Sequence, residues 1–411
     1  MHARLIDGLI CIGGEDRWYH NRGHYDFQIM QRLAKRMPVL FINSLGVRMP
    51  SVGEGSQFLG RIGRKLTSLT RGLTHVQDQF WVMSPLSVPG PMGHALTSWA
   101  VAPQIRLAAS RIGIQQPLLW VHCPPGADLI DRLQHEALVF QRTDRFEAFP
   151  DGNRRELQRQ VSFARGRADL VVYCARTLMQ GDHGLARKQA FIDHGVDYDT
   201  FLRAGLEADQ GTAATPADIA ALPGPRAVFV GGIDHHTFDP ELFVKVARQL
   251  PDVTFPMIGG CSLPADWCTL PNVHLLGRKP YAEVARYMAA ADVLLMPWNS
   301  GEWIQSCNPV KTKEYLATGR PVVSTPYPEL APYKAHVLEA STADTFAAAI
   351  RQAIADPDRA PSTVEARRAF VAGQTWEAKA DGLLRELASL GIVVAPAGVP
   401  APRITGRPIE A

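Results

Sequence analysis

Short apolar runs alternate along this chain with longer segments of helical period, and this rhythm constrains the fold more than any other feature. In the first half the runs include RLIDGLICI, PVLFIN, FWVMSP, PLLWVHC, ALVFQRT and DLVVYCA. In the second half they include RAVFVGGI, VTFPMIGG, VHLLG, DVLLMPW and RPVVSTP, with helical segments such as DPELFVKVARQL between them. This alternation predicts βαβ units and parallel sheets, and hence an α/β protein.

The length of 411 residues suits two domains. A polar segment rich in Ala, Thr and Pro separates the halves, a helical segment TWEAKADGLLRELASL follows the second, and the end is rich in Ala, Pro and Gly. The predicted divisions are an N-terminal domain over 1–204, a linker over 205–225, a C-terminal domain over 226–372, a helix over 373–391 that packs back toward the N-terminal domain, and a disordered tail over 392–411.

Composition excludes several classes of protein. The net charge is only +3, which gives no general signal for a nucleic-acid partner. The six cysteines show no CxxC spacing, so reduced thiols in a cytoplasmic protein are favoured over disulfides or zinc. The N-terminal segment reads as a first strand, and no apolar run approaches the length needed to span a bilayer. The predicted location is the cytoplasm, with at most peripheral contact with the cytoplasmic face of the inner membrane.

The stretch CNPVKTKEYLATGRPVVSTP carries the strongest chemical signal. Pro309 suits the first turn of a helix, and Gly319 suits its end before the next strand. The helix N-terminus favours phosphate, Lys311 adds a positive charge there, and Glu314 follows on nearly the same face. A carboxylate at that position can accept hydrogen bonds from a ribose diol. The alternative is a surface Lys–Glu pair beside a helix cap.

Five segments, in order along the chain, resemble GT-B glycosyltransferases of the broad group that includes family 4 and bacterial polysaccharide enzymes. They are WYHNRGHYDFQIMQRLAKRMPVLFIN, FIDHGVDYDTF, VFVGGI, NVHLLGRKPYAEVARYMAAADVLLMPW and NPVKTKEYLATGRPVVSTPYPEL. The resemblance implies two Rossmann-like, doubly wound domains that face each other across a cleft, with a C-terminal crossover helix.

The resemblance also implies a site for a nucleotide sugar in the second domain. Lys311 would meet the diphosphate and Glu314 the ribose. The backbone at Gly231 and Gly232 would approach the donor closely. Arg278 would contact the base or a phosphate, with a solvated loop arginine as the alternative. The full predicted donor set is Gly231, Gly232, Arg278, Asn308, Lys311 and Glu314.

In the first domain the candidate acceptor-binding residues follow the first strand. Gly13, Gly14 and Asp16 would face the cleft, because ligands bind outside the carboxyl ends of strands in open α/β sheets. Arg22 would hold an acceptor diphosphate, with an exposed helical arginine as the alternative.

Two candidate catalytic residues follow later strands of the same domain. His122 follows PLLWV, and similar enzymes use a histidine there to touch the donor sugar; a hydrogen-bonded structural histidine is the alternative. Asp144 is the candidate base for an acceptor hydroxyl, and a helix N-cap is its competing role. The related enzymes carry a first aspartate where this chain has Gln141.

The chain departs from retaining family 4 enzymes in two ways. Ser306 stands where those enzymes carry the first glutamate of a Glu-x7-Glu pattern. After the double glycine nothing basic appears until His235, His236 and Lys245. Lys311, Arg278 and the helix dipole must then stabilise the leaving group, and an inverting displacement with Asp144 as base becomes credible. The stereochemistry stays open.

No cofactor or metal is expected. The aspartates of the sequence DYD at 197–199 could suggest a divalent cation, but they lie far from the expected diphosphate. GT-B enzymes of this kind usually need no bound metal, so a metal-independent enzyme is predicted.

The segment 58–75 is predicted as a basic amphipathic helix. Its cations are Arg61, Arg64, Lys65 and Arg71, and no acid occurs from 55 to 77. Such a helix can lie on an anionic membrane, and a surface helix packed on the core is the alternative.

The predicted function is a glycosyltransferase of hexosyltransferase type (EC 2.4). It would move a sugar from a nucleoside-diphosphate sugar to an acceptor hydroxyl, with a lipid-linked oligosaccharide for exopolysaccharide or cell-surface polysaccharide as the expected acceptor. Two alternatives remain: another GT-B enzyme such as a nucleotide-sugar epimerase, and a non-catalytic nucleotide-sugar sensor or scaffold.

Overall fold

The computed structural model describes residues 3–14, 16–18, 24–44, 71–86, 93–148, 153–355 and 360–395. Two compact units divide the chain. The first comprises Met1–Asp193 and Lys379–Ala411, and the second comprises His194–Ala378. The division therefore lies after Asp193, eleven residues before the predicted boundary, and the chain returns to the first unit at Lys379.

The described part of the first unit begins with nine strands and four helices. They are β1 (Arg4–Ile6), β2 (Gly8–Ile12), α1 (Tyr25–Leu33), β3 (Val39–Ile42), β4 (Leu73–Gln77), β5 (Phe80–Met83), α2 (Gly93–Arg111), β6 (Pro117–Val121), β7 (Ala137–Arg142), α3 (Arg154–Arg167), β8 (Leu170–Tyr173), α4 (Arg176–Gly181) and β9 (Gln189–Phe191). A 3₁₀ helix over Pro124–Arg132 follows β6.

All of these strands except β1 form one eight-stranded sheet in the order β4-β5-β3-β2-β6-β7-β8-β9. All neighbours are parallel except β4 and β5. The central strands are buried along their whole length, as expected for a parallel sheet that is covered on both faces. The predicted α/β class is confirmed for this unit.

Two segments of the first unit differ from the sequence prediction. RLIDGLICI forms two strands, because the Asp7 carboxylate between them accepts hydrogen bonds from the backbone N–H groups of Gln115 and Gln116. The predicted helix over 58–75 is wrong at its end, since Leu73 begins β4, which pairs antiparallel with β5. The rest of that segment, up to residue 70, lies outside the described residues.

The second unit continues the numbering. Its elements are α5 (Tyr198–Asp209), α6 (Ala217–Ala220), β10 (Ala227–Val230), α7 (Pro240–Gln249), β11 (Phe255–Ile258), β12 (Val273–Gly277), α8 (Tyr281–Ala289), β13 (Val293–Met296), α9 (Lys311–Thr318), β14 (Val322–Ser324), β15 (Leu338–Glu339), α10 (Ala343–Ile354) and α11 (Pro361–Ala372). Six parallel strands form a sheet in the order β12-β11-β10-β13-β14-β15.

The last two elements are α12 (Trp376–Ser389) and β16 (Ile392–Val394). Helix α12 runs across the division at Lys379, and β16 pairs with β1 in a two-stranded parallel sheet. The predicted tail therefore starts with a strand, and residues 396–411 lie outside the described part. Among the described helices, none combines the length and the apolar character that a membrane crossing requires.

The predicted linker 205–225 contains helical structure of the second unit. Phe201 and Ala204 on α5 are buried in the core of that unit. A Cβ at Gly205 would lie 2.2 Å from the Thr318 carbonyl oxygen, so α5 packs directly on the end of α9. The polar composition of this stretch did not indicate helix α5, because α5 is stabilised by contacts with residues that are distant in sequence.

Candidate functional site

Helix α9 begins within two residues of the predicted start and ends as predicted. Lys311 is its first residue, two positions after Pro309. Gly319 ends it with φ +83°, a left-handed conformation that glycine adopts without strain. Arg367 and Arg368 of α11 donate hydrogen bonds to the carbonyl oxygens of Gly319 and Thr318. The C-terminal carbonyl groups of the helix are thereby satisfied by cations, as the helix dipole favours.

The first turn of α9 holds an ion pair. The Lys311 Nζ atom lies 2.6 Å from Glu314 Oε2, and the Tyr281 hydroxyl donates to Glu314 Oε1 at 3.3 Å. Glu314 is only 1% exposed, whereas Lys311 is partly exposed. A buried carboxylate is costly unless it is paired, and here both of its oxygens have partners. Glu314 therefore holds Lys311 in place at the start of the helix.

Two hydroxyl groups attach α9 to the edge of the sheet. The Val230 N–H, at the end of β10, donates to the buried Tyr315 hydroxyl at 3.1 Å. Thr312 Oγ1 and the Tyr327 hydroxyl share a hydrogen bond of 2.7 Å. Burial raises the pKa of both tyrosines, so their hydroxyls stay protonated at neutral pH. These contacts fix the first turns of α9 at the carboxyl edge of the strands.

Lys313 occupies a structural position that the sequence did not indicate. It is almost fully buried, and its Nζ donates to the carbonyl oxygen of His194. Lys311 and Lys313 are two residues apart and so point to different sides of the helix, which separates their roles.

The double glycine after β10 lies against a second glycine turn. Gly259, after β11, has φ +151°, and a Cβ there would lie 1.7 Å from the Gly231 carbonyl oxygen. No other residue fits at Gly259. The Asp234 carboxylate accepts hydrogen bonds from the backbone N–H groups of His236 and Thr237, which fixes the loop after Gly232.

Arg278 follows β12 at the same edge of the sheet. A Cβ at Gly260 would lie 2.6 Å from Arg278 Nε, so the guanidinium lies directly over the Gly260 backbone. Arg278 is exposed and forms no ion pair with any described carboxylate. Arg278 and the glycine turns therefore lie close together in the structure. Strand β10 and helix α9 are connected by the hydrogen bond of Tyr315. Asn308, also predicted, is buried just before the helix.

The segment around Ser306 is held by local contacts. The Ser306 hydroxyl donates to the Glu302 carbonyl oxygen at 2.6 Å, at the end of a 3₁₀ turn. The His236 ring packs on Trp303, with centroids 4.7 Å apart, and the Asn299 side chain donates to the His235 carbonyl oxygen. These contacts join the loops that follow β10 and β13.

In the first unit, the loop after β2 is built around glycines and two carboxylates. The Gly14 N–H donates to Asp26 Oδ2 at 3.1 Å, and a Cβ at Gly14 would lie 2.7 Å from the His122 ring. A Cβ at Gly13 would lie 2.2 Å from the Phe41 ring. Asp16 Oδ1 accepts from the Trp18 N–H at 2.9 Å, so this predicted acceptor-binding carboxylate also shapes its own loop.

Asp26 is a residue of this site that the sequence reasoning missed. It is fully buried on α1, and its Oδ2 lies 3.9 Å from His122 Nε2. His122 is itself mostly buried, and its ring meets Phe146 edge-on. The sequence did place an acidic residue in the first turn of the helix that follows the double glycine. The helix dipole favours an acid at that position in any helix, so the residue did not indicate a functional site.

Asp144 has the properties of a tuned carboxylate. Burial raises its pKa to about 6, against the opposing effects of a hydrogen bond to Thr143 and of the nearby His122 and Arg142. Arg142 is buried, with its guanidinium 2.6 Å from Glu147 Oε1 and 2.9 Å from Asp182 Oδ2. The structure therefore brings Asp144 and His122 together and fixes the chain that precedes Asp144.

Several other predicted residues fall elsewhere or outside the described part. Arg22, Arg61, Arg64 and Lys65 lie outside the described residues. Arg71 is exposed, and its guanidinium lies 4.5 Å from the centre of the Trp18 ring. Asp197 accepts a hydrogen bond from Thr200 at the start of α5. Within the described ranges, no three His, Cys, Asp or Glu side chains cluster as metal ligands would. Metal independence stays a prediction.

Comparison with known proteins shows the fold and a family match over part of the chain. Residues 236–385 match a family described as glycosyl transferase-like. Solved GT-B glycosyltransferases superpose on nearly the whole chain. The chain therefore has the GT-B fold, which confirms the fold predicted from the sequence, and its residues 236–385 are similar to the glycosyl transferase-like family.

Individual relatives are distant. The chain is 29% identical to the putative teichuronic acid biosynthesis glycosyltransferase TuaH of Bacillus subtilis over 197 residues, 45% of this chain and 47% of TuaH, so it matches just under half of that relative. Sucrose-phosphate synthase from Thermosynechococcus elongatus is 16% identical with a TM-score of 0.69, over 93% of this chain and 99% of that one. Anabaena HepE, solved with UDP and glucose, is 14% identical with a TM-score of 0.65, over 93% and 99%.

Proposed function

We propose that the protein is a glycosyltransferase that moves a sugar from a nucleoside-diphosphate sugar to an acceptor hydroxyl. One observation carries the proposal: Lys311 is held at the first turn of α9 by the buried carboxylate of Glu314. This turn lies at the carboxyl edge of the sheet, within the segment that matches the glycosyl transferase-like family. A fixed lysine at a helix N-terminus suits a diphosphate.

The second unit supplies the charges that a departing diphosphate needs. The N-terminus of a helix carries about half an elementary positive charge, and Lys311 adds a full one. Arg278 offers a further cation, exposed beside the glycine turns. Since these groups are positioned before the reaction, they can stabilise the negative charge that develops on the leaving group without a bound metal. The UDP held by HepE supports a uridine-type donor.

The first unit supplies the group that would deprotonate the acceptor. The pKa of Asp144, about 6, lies close to neutral pH, where a general base is most effective. Asp26 and Gly14 keep His122 beside it. The similarity to TuaH, named as a putative teichuronic acid biosynthesis glycosyltransferase, supports a saccharide acceptor in polysaccharide synthesis, and we propose a lipid-linked one.

A thermal-shift panel of UDP-, GDP- and TDP-sugars on the full chain tests the donor site. The preferred donor is expected to stabilise the wild type. The Lys311→Ala variant should bind it about 10- to 100-fold more weakly, because one charge-assisted contact to phosphate is lost. Lys245→Ala, at an exposed position on α7, is the matched control and should bind like the wild type.

Equal stabilisation of the wild type and Lys311→Ala by the preferred donor would remove the proposed site. Release of the nucleotide that depends on an added acceptor supports a transferase, whereas tight donor binding without turnover supports a nucleotide-sugar sensor.

A further inference from the structure

Helix α2 of the first unit presents an outward face of apolar and basic side chains. Trp99 is 67% exposed and Leu107 54% exposed, two turns apart on the same side. The opposite side of the helix, with Val101 and Ile105, is packed in the core. The outward positions recur with helical period and are Trp99, Ala100, Pro103, Arg106, Leu107, Ser110 and Arg111.

Leu86 is held outward beside this face. Its backbone N–H donates to Gln104 Oε1 at 3.0 Å, and Gln104 Nε2 donates to its carbonyl oxygen at 3.2 Å. Its side chain is nevertheless 63% exposed. The two hydrogen bonds fix the Leu86 backbone, so that its exposed side chain adds to the apolar patch that Trp99 and Leu107 form; contiguous exposed apolar patches mark interaction sites. We call Leu86, Trp99, Arg106, Leu107 and Arg111 the α2 surface.

The charge around the α2 surface is one-sided. The described stretch 93–127 contains no Asp or Glu, and it carries Arg106 and Arg111. Neither Arg106 nor Arg111 forms an ion pair with a described residue.

The neighbouring 3₁₀ helix does not offset these cations. Its acids Asp128 and Asp131 are paired with Arg159 and Arg167. A further cation, Arg132, lies 4.0 Å from the centre of the Trp99 ring. The α2 surface is therefore both apolar and positive.

We propose that the α2 surface docks the protein on an anionic phospholipid bilayer. Tryptophan favours the boundary between lipid and water, where Trp99 would lie with Leu86 and Leu107 inserted beside it. Arg106 and Arg111 would meet lipid phosphates. The uncompensated cations favour this partner over a second copy of the chain, whose own α2 surface would bring like charges together. The inference goes beyond the proposed reaction, because it does not depend on a lipid-linked acceptor.

Co-sedimentation of the full chain with vesicles tests the apolar part. Binding is expected to vesicles of phosphatidylglycerol and phosphatidylcholine, and to be much weaker with phosphatidylcholine alone. The double variant Trp99→Ser/Leu107→Ser should lower the partition coefficient at least about tenfold. The control Leu185→Ser/Leu275→Ser, which changes two exposed leucines elsewhere, should sediment like the wild type.

Salt and charge variants test the basic part. Arg106→Gln/Arg111→Gln should weaken binding about fivefold for each arginine and reduce its dependence on salt. Arg248→Gln, an exposed arginine at the end of α7, is the matched control. Circular dichroism on every variant confirms that it is folded.

Sedimentation of Trp99→Ser/Leu107→Ser equal to the wild type would overturn the proposal, and so would equal binding to neutral and anionic vesicles. Self-association that this variant abolishes, with no vesicle binding by the wild type, would overturn it in favour of a second copy. The same variants are expected to keep donor-induced thermal stabilisation, so this proposal and the proposed reaction fail independently.

Discussion

Asp144 combines a cost to stability with the chemical role that we propose for it. Removal from water raises its pKa to about 6, and this effect exceeds the stabilisation of the carboxylate by Thr143, His122 and Arg142. The position of Asp144 after a buried strand was predictable from the sequence, but its pKa was not. That pKa depends on burial and on charges contributed from β6 and β7, which only the fold brings together.

Asp144→Asn is expected to lower kcat about 100- to 10,000-fold, because the acceptor hydroxyl loses its general base. In the wild type, kcat/KM should rise with pH through about 6 and then reach a plateau, as Asp144 ionises. A pH–rate profile checks both statements. An unchanged profile in Asp144→Asn would exclude Asp144 as the base. Asp266→Asn, at an exposed aspartate, is the control.

The same substitution should stabilise the fold at high pH. The pKa of Asp144 is raised on folding, so protonation contributes stability that is fully present below about pH 4 and is lost as pH rises through about 6. Asparagine stays neutral throughout. The free energy of unfolding of Asp144→Asn should therefore exceed that of the wild type by up to about 3 kcal/mol at pH 8, and the difference should vanish near pH 4. Urea unfolding at the two pH values measures it.

Asp26 marks the limit of sequence reasoning at this scale. Its contacts with Gly14 and His122 join residues from α1, from the loop after β2 and from the end of β6. The spacing of these residues in the sequence does not predict that they are in contact. An acidic residue is common in the first turn of a helix, so its presence alone did not indicate a functional role.

At the scale of elements, the two ends of α9 were predictable from the residues next to them in the sequence. Proline before its start and glycine after its end locate the helix to within two residues. Its attachment was not predictable, since Tyr315 bonds to β10, about 85 positions earlier. Strand β15 and the split of the first strand also escaped prediction. Strand β15 has only two residues, and the partner of β1 is β16, close to the other end of the described chain.

Tyr315→Phe is expected to loosen α9 from the sheet. The buried Val230 N–H would lose the hydroxyl that accepts from it, at a cost of about 1–3 kcal/mol. Donor affinity should fall with it, because Lys311 and Glu314 lie on the same short helix. Urea unfolding and a thermal shift with the preferred donor measure the two effects. Tyr198→Phe, at a half-buried tyrosine that starts α5, is the control, and an equal loss in both variants would contradict this role.

At the scale of the whole molecule, both sheets follow from the alternation of strands and helices, whereas the division of the chain does not. The chain begins and ends in the same unit, because β16 pairs with β1 and Lys379 is paired with Asp193. Ala- and Pro-rich composition predicted disorder from residue 392. Ile392, however, is buried, and a short parallel partner is enough to order it.

Removal of β16 should destabilise the first unit. A chain that ends at residue 390 loses the pairing with β1 and the burial of Ile392, whereas a chain that ends at residue 395 keeps both. We expect the shorter chain to unfold several degrees lower than the longer one, since about 1–2 kcal/mol moves Tm by a few degrees in domains of this size. Calorimetry compares them. Coinciding transitions would show that the strand pair contributes nothing.

The ion pair between Lys311 and Glu314 bears on how a spent nucleotide leaves. At the proposed donor site, a bound diphosphate would give the lysine a second anionic neighbour beside Glu314. When the diphosphate left, the ammonium group would keep the Glu314 carboxylate as its partner in a half-buried position. Because Glu314 remains as a partner, the electrostatic cost of releasing the anion is lower. Tight binding of the donor and fast release of the nucleotide product are therefore compatible at this helix turn.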